Sequence, residues 1–211
     1  MPRRDKPDHY AQRARKDGYK ARSVYKLQEI DEKLHLLSGA RRVLDVGAAP
    51  GSWTQYALER MHRGGTVVAV DLKPVELPPA DSLRTVEGDV TDEAVRGALR
   101  AAGPFDLILS DAAPSTTGNR VLDSARSAEL VQIVMGLADE ILVPGGSMVA
   151  KLFQGGEEKE LLQAARARFR SARIQRPKAS RSDSFEVFIV GIDHRPAPAS
   201  TAGARDGGTP Q

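Results

Sequence analysis

Four acids stand where apolar runs of the chain end. Asp45 follows Val43-Leu44, Asp71 closes Val67-Val68-Ala69-Val70, Asp89 follows Glu87-Gly88, and Asp111 follows Leu109-Ser110. Acids at the carboxyl ends of neighbouring parallel strands face one crevice, where open α/β sheets bind their ligands. The first of them precedes a glycine-rich turn, Gly47-Ala48-Ala49-Pro50-Gly51-Ser52-Trp53. Gly47 and Gly51 are expected to let the backbone pass close to a ligand. A pyrophosphate seat would read G-x-G-x-x-G here, with several N–H groups converging on a helix start. Instead Pro50 removes a donor, and Asp45 repels a phosphate but attracts a cation or an amino group. The expected ligand carries positive charge and no phosphate. S-adenosylmethionine, a sulfonium with an α-amino group, fits better than NAD or ATP.

An acid about 20 residues past such a turn accepts ribose hydroxyls, which assigns Asp71 to the cofactor diol; Asp89 falls near the adenine edge. Asp89 has a blander reading beside this one, as a cap with Thr91 and Asp92 for the helix that follows. Trp53, the only tryptophan, is either core or a wall of the cofactor site. No cluster with metal-ligand spacing is read.

Two further charges interrupt apolar strands, Lys151 in Ala150-Lys151-Leu152-Phe153 and Glu186 in Phe185-Glu186-Val187-Phe188. Such residues are rarely buried without partners. The simplest structural account is one buried Lys151–Glu186 salt bridge. A third charge, Lys26 in Arg22-Ser23-Val24-Tyr25-Lys26-Leu27 on an amphipathic N-terminal helix, offers a second cation from outside the sheet. The absence of cysteine excludes disulfides and thiolate nucleophiles. Methylation at C5 of a pyrimidine is thereby disfavoured, because it uses a cysteine adduct. Ala112 and Ala113 after Asp111 cannot stack on a flipped base, which argues against exocyclic amine methylation.

The elements that must position these groups are legible from period. Strand-like runs fall at Arg42–Gly47, Thr66–Leu72, Leu83–Gly88, Phe105–Ser110, Ser147–Phe153, Arg173–Arg176 and Phe185–Ile192. Helix-like stretches, Ser52–Met61, Glu93–Ala102, Ser124–Leu142 and Glu157–Phe169, carry apolar residues three and four apart. This alternation means a largely parallel sheet covered on both faces. The last two strands leave no room for a helix between them, so the final strand is antiparallel to its neighbour. The expected fold is α/β, a Rossmann-like methyltransferase domain with a mixed seven-stranded sheet.

At 211 residues and 40% hydrophobic content the chain suits one domain with one core. Residues 1–194 are assigned to that domain. The tail 195–211, rich in Pro, Ala, Gly and Thr, is expected to be disordered. Neither a signal peptide nor a membrane span is seen, so a cytoplasmic location is expected. Net charge is only +3, yet residues 1–26 are rich in Lys and Arg, and Arg166 to Arg181 holds basic residues without an acid. Each single cation is most simply a solvated side chain. Two such segments together fit the footprint of a polyanion.

A lysine from an N-terminal helix, an aspartate after strand four, a lysine on strand five and a glutamate on the last strand resemble the K-D-K-E tetrad of ribose 2′-O-methyltransferases. More narrowly, D-V-G-A-A-P-G-S-W, S-D-A-A-P, A-K-L-F-Q-G and F-E-V-F-I-V resemble the FtsJ/RrmJ family of bacterial large-subunit ribosomal RNA methyltransferases, over roughly residues 9 to 192. The resemblance implies that Lys26, Asp111, Lys151 and Glu186 carry catalysis, and that Gly51, Trp53, Asp71, Asp89 and Asp111 contact S-adenosylmethionine. It implies a ribose, with uridine as its nucleotide, in 23S ribosomal RNA as the acceptor, ribosomal RNA within the large subunit as partner, and a monomer. Ser52, where the family often has a second glycine, and the loop Ser115–Asn119 depart from the pattern without touching the tetrad. The competing readings are a 2′-O-methyltransferase of transfer RNA or another RNA, and a ribosome-assembly factor that binds RNA without catalysis. An NAD-dependent oxidoreductase is the weakest, for want of the glycine fingerprint.

Overall fold

The apolar runs assemble as one sheet in a computed structural model of the protein, which describes residues 8–180 and 184–196. In chain order the elements are α1 (His9–Asp17), α2 (Val24–Leu34), β1 (Arg42–Val46), α3 (Ser52–Arg60), β2 (Thr66–Asp71), β3 (Leu83–Glu87), α4 (Glu93–Ala102), β4 (Phe105–Ser110), α5 (Arg120–Ile141), β5 (Leu142–Phe153), α6 (Glu158–Arg168), β6 (Phe169–Gln175) and β7 (Glu186–His194). The strand order is β3-β2-β1-β4-β5-β7-β6. β7 runs antiparallel to both β5 and β6, while the other pairings are parallel. This is the mixed seven-stranded sheet expected from the sequence.

Successive residues of the central strands go to opposite faces, and both faces are covered. Leu44, Ile108 and Met148 join the core under α4, α5 and α6, with Leu99, Val131, Leu137 and Ala165. Val43, Leu107, Leu109 and Val149 join the core under α1 to α3, with Val24, Leu27, Ile30, Trp53 and Tyr56. Burying apolar side chains on both sides of one sheet makes three layers, helix, sheet and helix. Among the described residues no helix is long and apolar enough to cross a membrane.

Several boundaries move from their expected places. α5 begins at Arg120 rather than Ser124, because the Asn119 side chain caps it by accepting from the Val121 and Leu122 N–H groups; the cap lies one turn before the apolar stripe begins. β5 begins at Leu142 rather than Ser147. Pro144-Gly145-Gly146 reads as a turn, yet it is absorbed as an irregularity in the β4–β5 ladder between the Phe105 and Leu107 pairings. β6 starts at Phe169 instead of Arg173, since Phe169 pairs with His194 at the edge. The N-terminal helix is two helices, broken at Gly18. That residue adopts φ 82°, and its N–H returns to the Ala14 and Arg15 carbonyls. The expectation of a disordered tail falls, apart from residues 195 and 196, outside the described residues.

Candidate active site

β1 and β4 are neighbours, but the chain leaves them for opposite edges of the sheet, so a crevice opens beyond their carboxyl ends. A cleft of about 370 Å³ lies there, lined by Gly47, Asp71, Asp89, Asp111 and Ala112 among others, and closed by Leu130 and Val134 of α5. The Asp71 carboxylate is fixed by two backbone donors, Ala49 N–H at 2.9 Å and Lys73 N–H at 2.9 Å. A carboxylate has about four lone-pair sites, so two remain for a ligand diol. Asp89 serves two roles at once: its Oδ1 accepts from the N–H and hydroxyl of Thr91, at 2.8 and 2.7 Å, and it still faces the cleft. The Thr91 N–H bond holds its carboxyl below the usual range.

Asp45 lies beneath this cleft rather than in its wall, with no exposed surface. Its Oδ2 accepts from the Thr54 hydroxyl at 2.6 Å, while Oδ1 is buried without a partner among the described residues. Burial pushes its carboxyl up to about 7, and Asp111 and Asp71 nearby add to the shift against the Thr54 hydrogen bond. The acids in the cleft wall, Asp71, Asp89 and Asp111, suit a cationic ligand and oppose a phosphate.

The glycines are required by the protein's own packing. At Gly47, φ 75°, a Cβ would fall 2.7 Å from the Ala112 backbone; at Gly51, φ 118°, it would fall 2.8 Å from Leu77. They let protein segments close upon one another and hold a left-handed backbone. Gly51 caps α3, and Trp53 sits in its first turn, where N–H groups have no carbonyl of their own helix to bind. The Trp53 ring takes the core side of its two readings. It is 2% exposed, packs 5.7 Å from the Phe188 ring and donates Nε1–H to the Ser23 carbonyl at 2.9 Å, which ties α3 to the start of α2.

All four tetrad residues converge at the same end of the sheet. Asp111 follows β4 and Lys151 ends β5 two residues before Phe153. Because β7 is antiparallel, its first residue, Glu186, lies opposite Phe153 and shares a face with Lys151. Their pairing is not the Lys151–Glu186 bridge that two interrupting charges suggested. Lys151 donates to the Asp111 carbonyl and stands 3.1 Å from its carboxylate. Glu186 pairs with Lys26 of α2, at 2.7 Å. Each carboxylate thus has its own lysine, and the two pairs face each other across β5 and β7. Lys26 reaches this place because Val24, Leu27 and Ile30 bury one stripe of α2 and Lys26 stands at the flank of that stripe, one turn before Ile30.

The model of FtsJ-like methyltransferases matches residues 19–194. The chain belongs to that family. Among curated FtsJ-type relatives, "Ribosomal RNA large subunit methyltransferase E" of Syntrophobacter fumaroxidans is 50% identical over 88% of this chain and 94% of its own length. The protein of the same name from Treponema denticola is 44% identical over 90% of this chain and 96% of its own. Among solved structures, one described as a ribosomal RNA methyltransferase from Plasmodium falciparum superposes with a TM-score of 0.71 at 26% identity, covering 83% of this chain and 98% of that one. Human methyltransferase-like protein 13, solved in complex with SAH, shares the fold at a TM-score of 0.53 and 17% identity, over 77% of this chain and 75% of its own.

Within this FtsJ-like chain, two contacts escaped sequence reading. The Glu29 carboxylate accepts from the Lys178 and Ala179 N–H groups, each at 2.7 Å, and Arg22 donates to the Ala179 carbonyl. They clip the site-end portion of the second basic segment onto α2, so parts of both basic segments meet beside the tetrad. The rest of that segment goes elsewhere: Arg168 pairs with Asp139 at 2.9 Å and Arg170 with Asp193 at 3.0 Å, near the start of β6, at the other end of the sheet. Residues 1–7 and Arg181 lie outside the described residues. The loop Ser115–Asn119 is held by Asp123, whose carboxylate accepts from the Thr117 N–H and hydroxyl at 2.8 and 2.9 Å.

Proposed function

We propose that this protein transfers a methyl group from S-adenosylmethionine to the ribose 2′-hydroxyl of a uridine in 23S ribosomal RNA of the large subunit. The observation that carries the reading is the meeting of Lys26, Asp111, Lys151 and Glu186 at the lip of an acid-lined cleft. S-adenosylmethionine supplies an electrophilic methyl group. Asp71 would hold its ribose diol and Asp89 its adenine side, with Gly51 and the Trp53 backbone at the turn around it and Asp111 toward the acceptor.

A ribose hydroxyl is a poor nucleophile at neutral pH, so it must be deprotonated or held in line. Lys151 spends one N–H on the Asp111 carbonyl and turns a second toward the Asp111 carboxylate, 3.1 Å away. Of its three donors it retains one for the 2′-oxygen, and that bond turns a lone pair toward the methyl group. Glu186 would accept the hydroxyl hydrogen bond and take the proton as the O–CH3 bond forms and the S–CH3 bond breaks, the methyl donor leaving as the neutral thioether S-adenosylhomocysteine. Lys26 holds Glu186 in place and offsets charge there. The basic surface formed by α1, α2 and Lys178 meets phosphates, which fits the ribosomal RNA named in the relatives' descriptions. One chain supplies the whole tetrad, which is compatible with work as a monomer, and the proposed substrate places it in the cytoplasm.

The test is labelled methyl transfer to large ribosomal subunits from cells lacking the enzyme, followed by nucleoside analysis. The expected product is 2′-O-methyluridine. Lys151→Met should lower the rate by about 10²- to 10⁴-fold with S-adenosylmethionine affinity nearly unchanged. A base-methylated product, or transfer to transfer RNA and not to subunits, would overturn the assignment.

A further inference from the structure

Beyond the tetrad, along the same lip, lies a cluster that neither the cofactor cleft nor the methyl-transfer chemistry uses. The Phe153 and Phe185 rings are 4.9 Å apart, tilted by 53°, and both are only half-buried. The exposed Arg120 guanidinium lies over the Phe185 ring at 4.9 Å from its centroid. Lys151 Nζ lies over the Phe153 ring at 5.8 Å. A path of stacked π and cationic groups therefore leads outward from the reacting lysine. It ends in a second cleft of about 420 Å³, lined by Arg120, Val121, Gln154, Gly155 and Gly156. Val121 on its rim is 78% exposed. The one acid there, Glu158, accepts from the Gly156 N–H at 2.9 Å, and Gln154 accepts from Arg176 at 3.3 Å.

Two half-buried aromatic rings beside an exposed arginine are expensive surface for a fold to leave uncovered, and they are what an unstacked RNA base seeks. Ala112 and Ala113 at the end of β4 offer no stacking surface. An enzyme acting on the sugar does not need its base inside the reaction centre, but it must hold that base somewhere for the 2′-oxygen to meet Lys151. We propose that the Phe153–Phe185–Arg120 cluster is a stacking platform for the base of the methylated nucleotide, splayed out of its RNA strand. The platform reads a π-face and not a hydrogen-bonding edge, so it fixes the ribose without choosing the base. The inference rests on the reading of ribose in RNA as the acceptor.

The experiment measures initial rates of methyl transfer to unmethylated large ribosomal subunits, with S-adenosylmethionine affinity measured separately. Phe185→Leu keeps apolar contact with Phe153 and loses the π-face. It is expected to raise KM for the subunit about 5- to 150-fold, the factor that corresponds to one lost base stack, while cofactor affinity stays the same. Phe185→Tyr is expected to behave as the unchanged protein. Arg120, being exposed, is replaced without risk to the fold: Arg120→Ala and Arg120→Lys are both expected to raise KM, because lysine restores the charge but not the flat guanidinium. Unchanged KM in Phe185→Leu and Arg120→Ala, with normal ribose methylation by the unchanged protein, overturns the platform and leaves the proposed function standing. Full recovery in Arg120→Lys also overturns it, since charge alone then suffices. Failure of the unchanged protein to methylate ribose at all overturns the proposed function, and the platform with it.

Discussion

Lys26 Nζ stands 2.7 Å from the Glu186 carboxylate, across 160 residues of chain, and it takes the partner that the strand pattern had offered to Lys151. Both side chains are about one-tenth exposed, so neither charge can be removed cheaply. In a double-mutant cycle read by urea unfolding, Lys26→Met and Glu186→Gln should couple by about 1–3 kcal/mol. Lys151→Met and Glu186→Gln should couple more weakly than that, since Lys151 is held by Asp111 instead. The reverse order would show that Lys151 is the partner of Glu186 in solution.

Asp71 is held by the Ala49 and Lys73 N–H groups with two acceptor sites left toward the cleft. Asp71→Ala should weaken S-adenosylmethionine by about 1–3 kcal/mol, the cost of a lost charged hydrogen-bond pair. NAD should bind neither protein. Calorimetry decides, and NAD affinity comparable to that of S-adenosylmethionine would remove the basis for the cofactor.

The buried Asp45 carboxyl, raised by burial to about 7, makes stability depend on pH. Between about pH 4 and 7 the unfolded chain has lost this proton while the native protein keeps it, so stability falls as pH rises; above about 7 both states are ionised and the slope ends. Asp45→Asn removes that dependence. Its stability relative to the unchanged protein should grow by about 1.4 kcal/mol per pH unit through that window and then level off. Urea unfolding at a series of pH values checks it, and a flat difference would mean that the carboxyl ionises normally.

Arg15, Lys16 and Lys178 are exposed, on the side where the Glu29 clip joins the basic segments. Their joint replacement by alanine should flatten the plot of log RNA affinity against log salt by up to about 2 units. Replacement of Arg168 and Arg170, which are paired with Asp139 and Asp193 near the start of β6, should leave the slope unchanged. An equal effect from both sets would show that no single face meets RNA.

The elements and the chemistry at their ends can be read along the chain. Period-two and period-three-to-four patterns are local properties, and so the seven strands, the main helices, the acids at the ends of β1 and β2 and just after β4, and the lysine and glutamate within β5 and β7 were all legible. The tertiary structure alone decided who faces whom. Trp53 turned to the core because Ser23 and Phe188 come to it from distant segments. Gly47 proved necessary because Ala112, on the neighbouring strand's loop, occupies the space a Cβ would need. α5 began a turn early, and Pro144-Gly145-Gly146 stayed within β5, because a cap and a ladder irregularity override local turn preference. Glu186 took the other lysine for the same reason: strand register puts Lys151 and Glu186 on one face, but the packing of α2 brings Lys26 to it. Packing angle depends on side chains from several elements at once, and no one-dimensional pattern carries it.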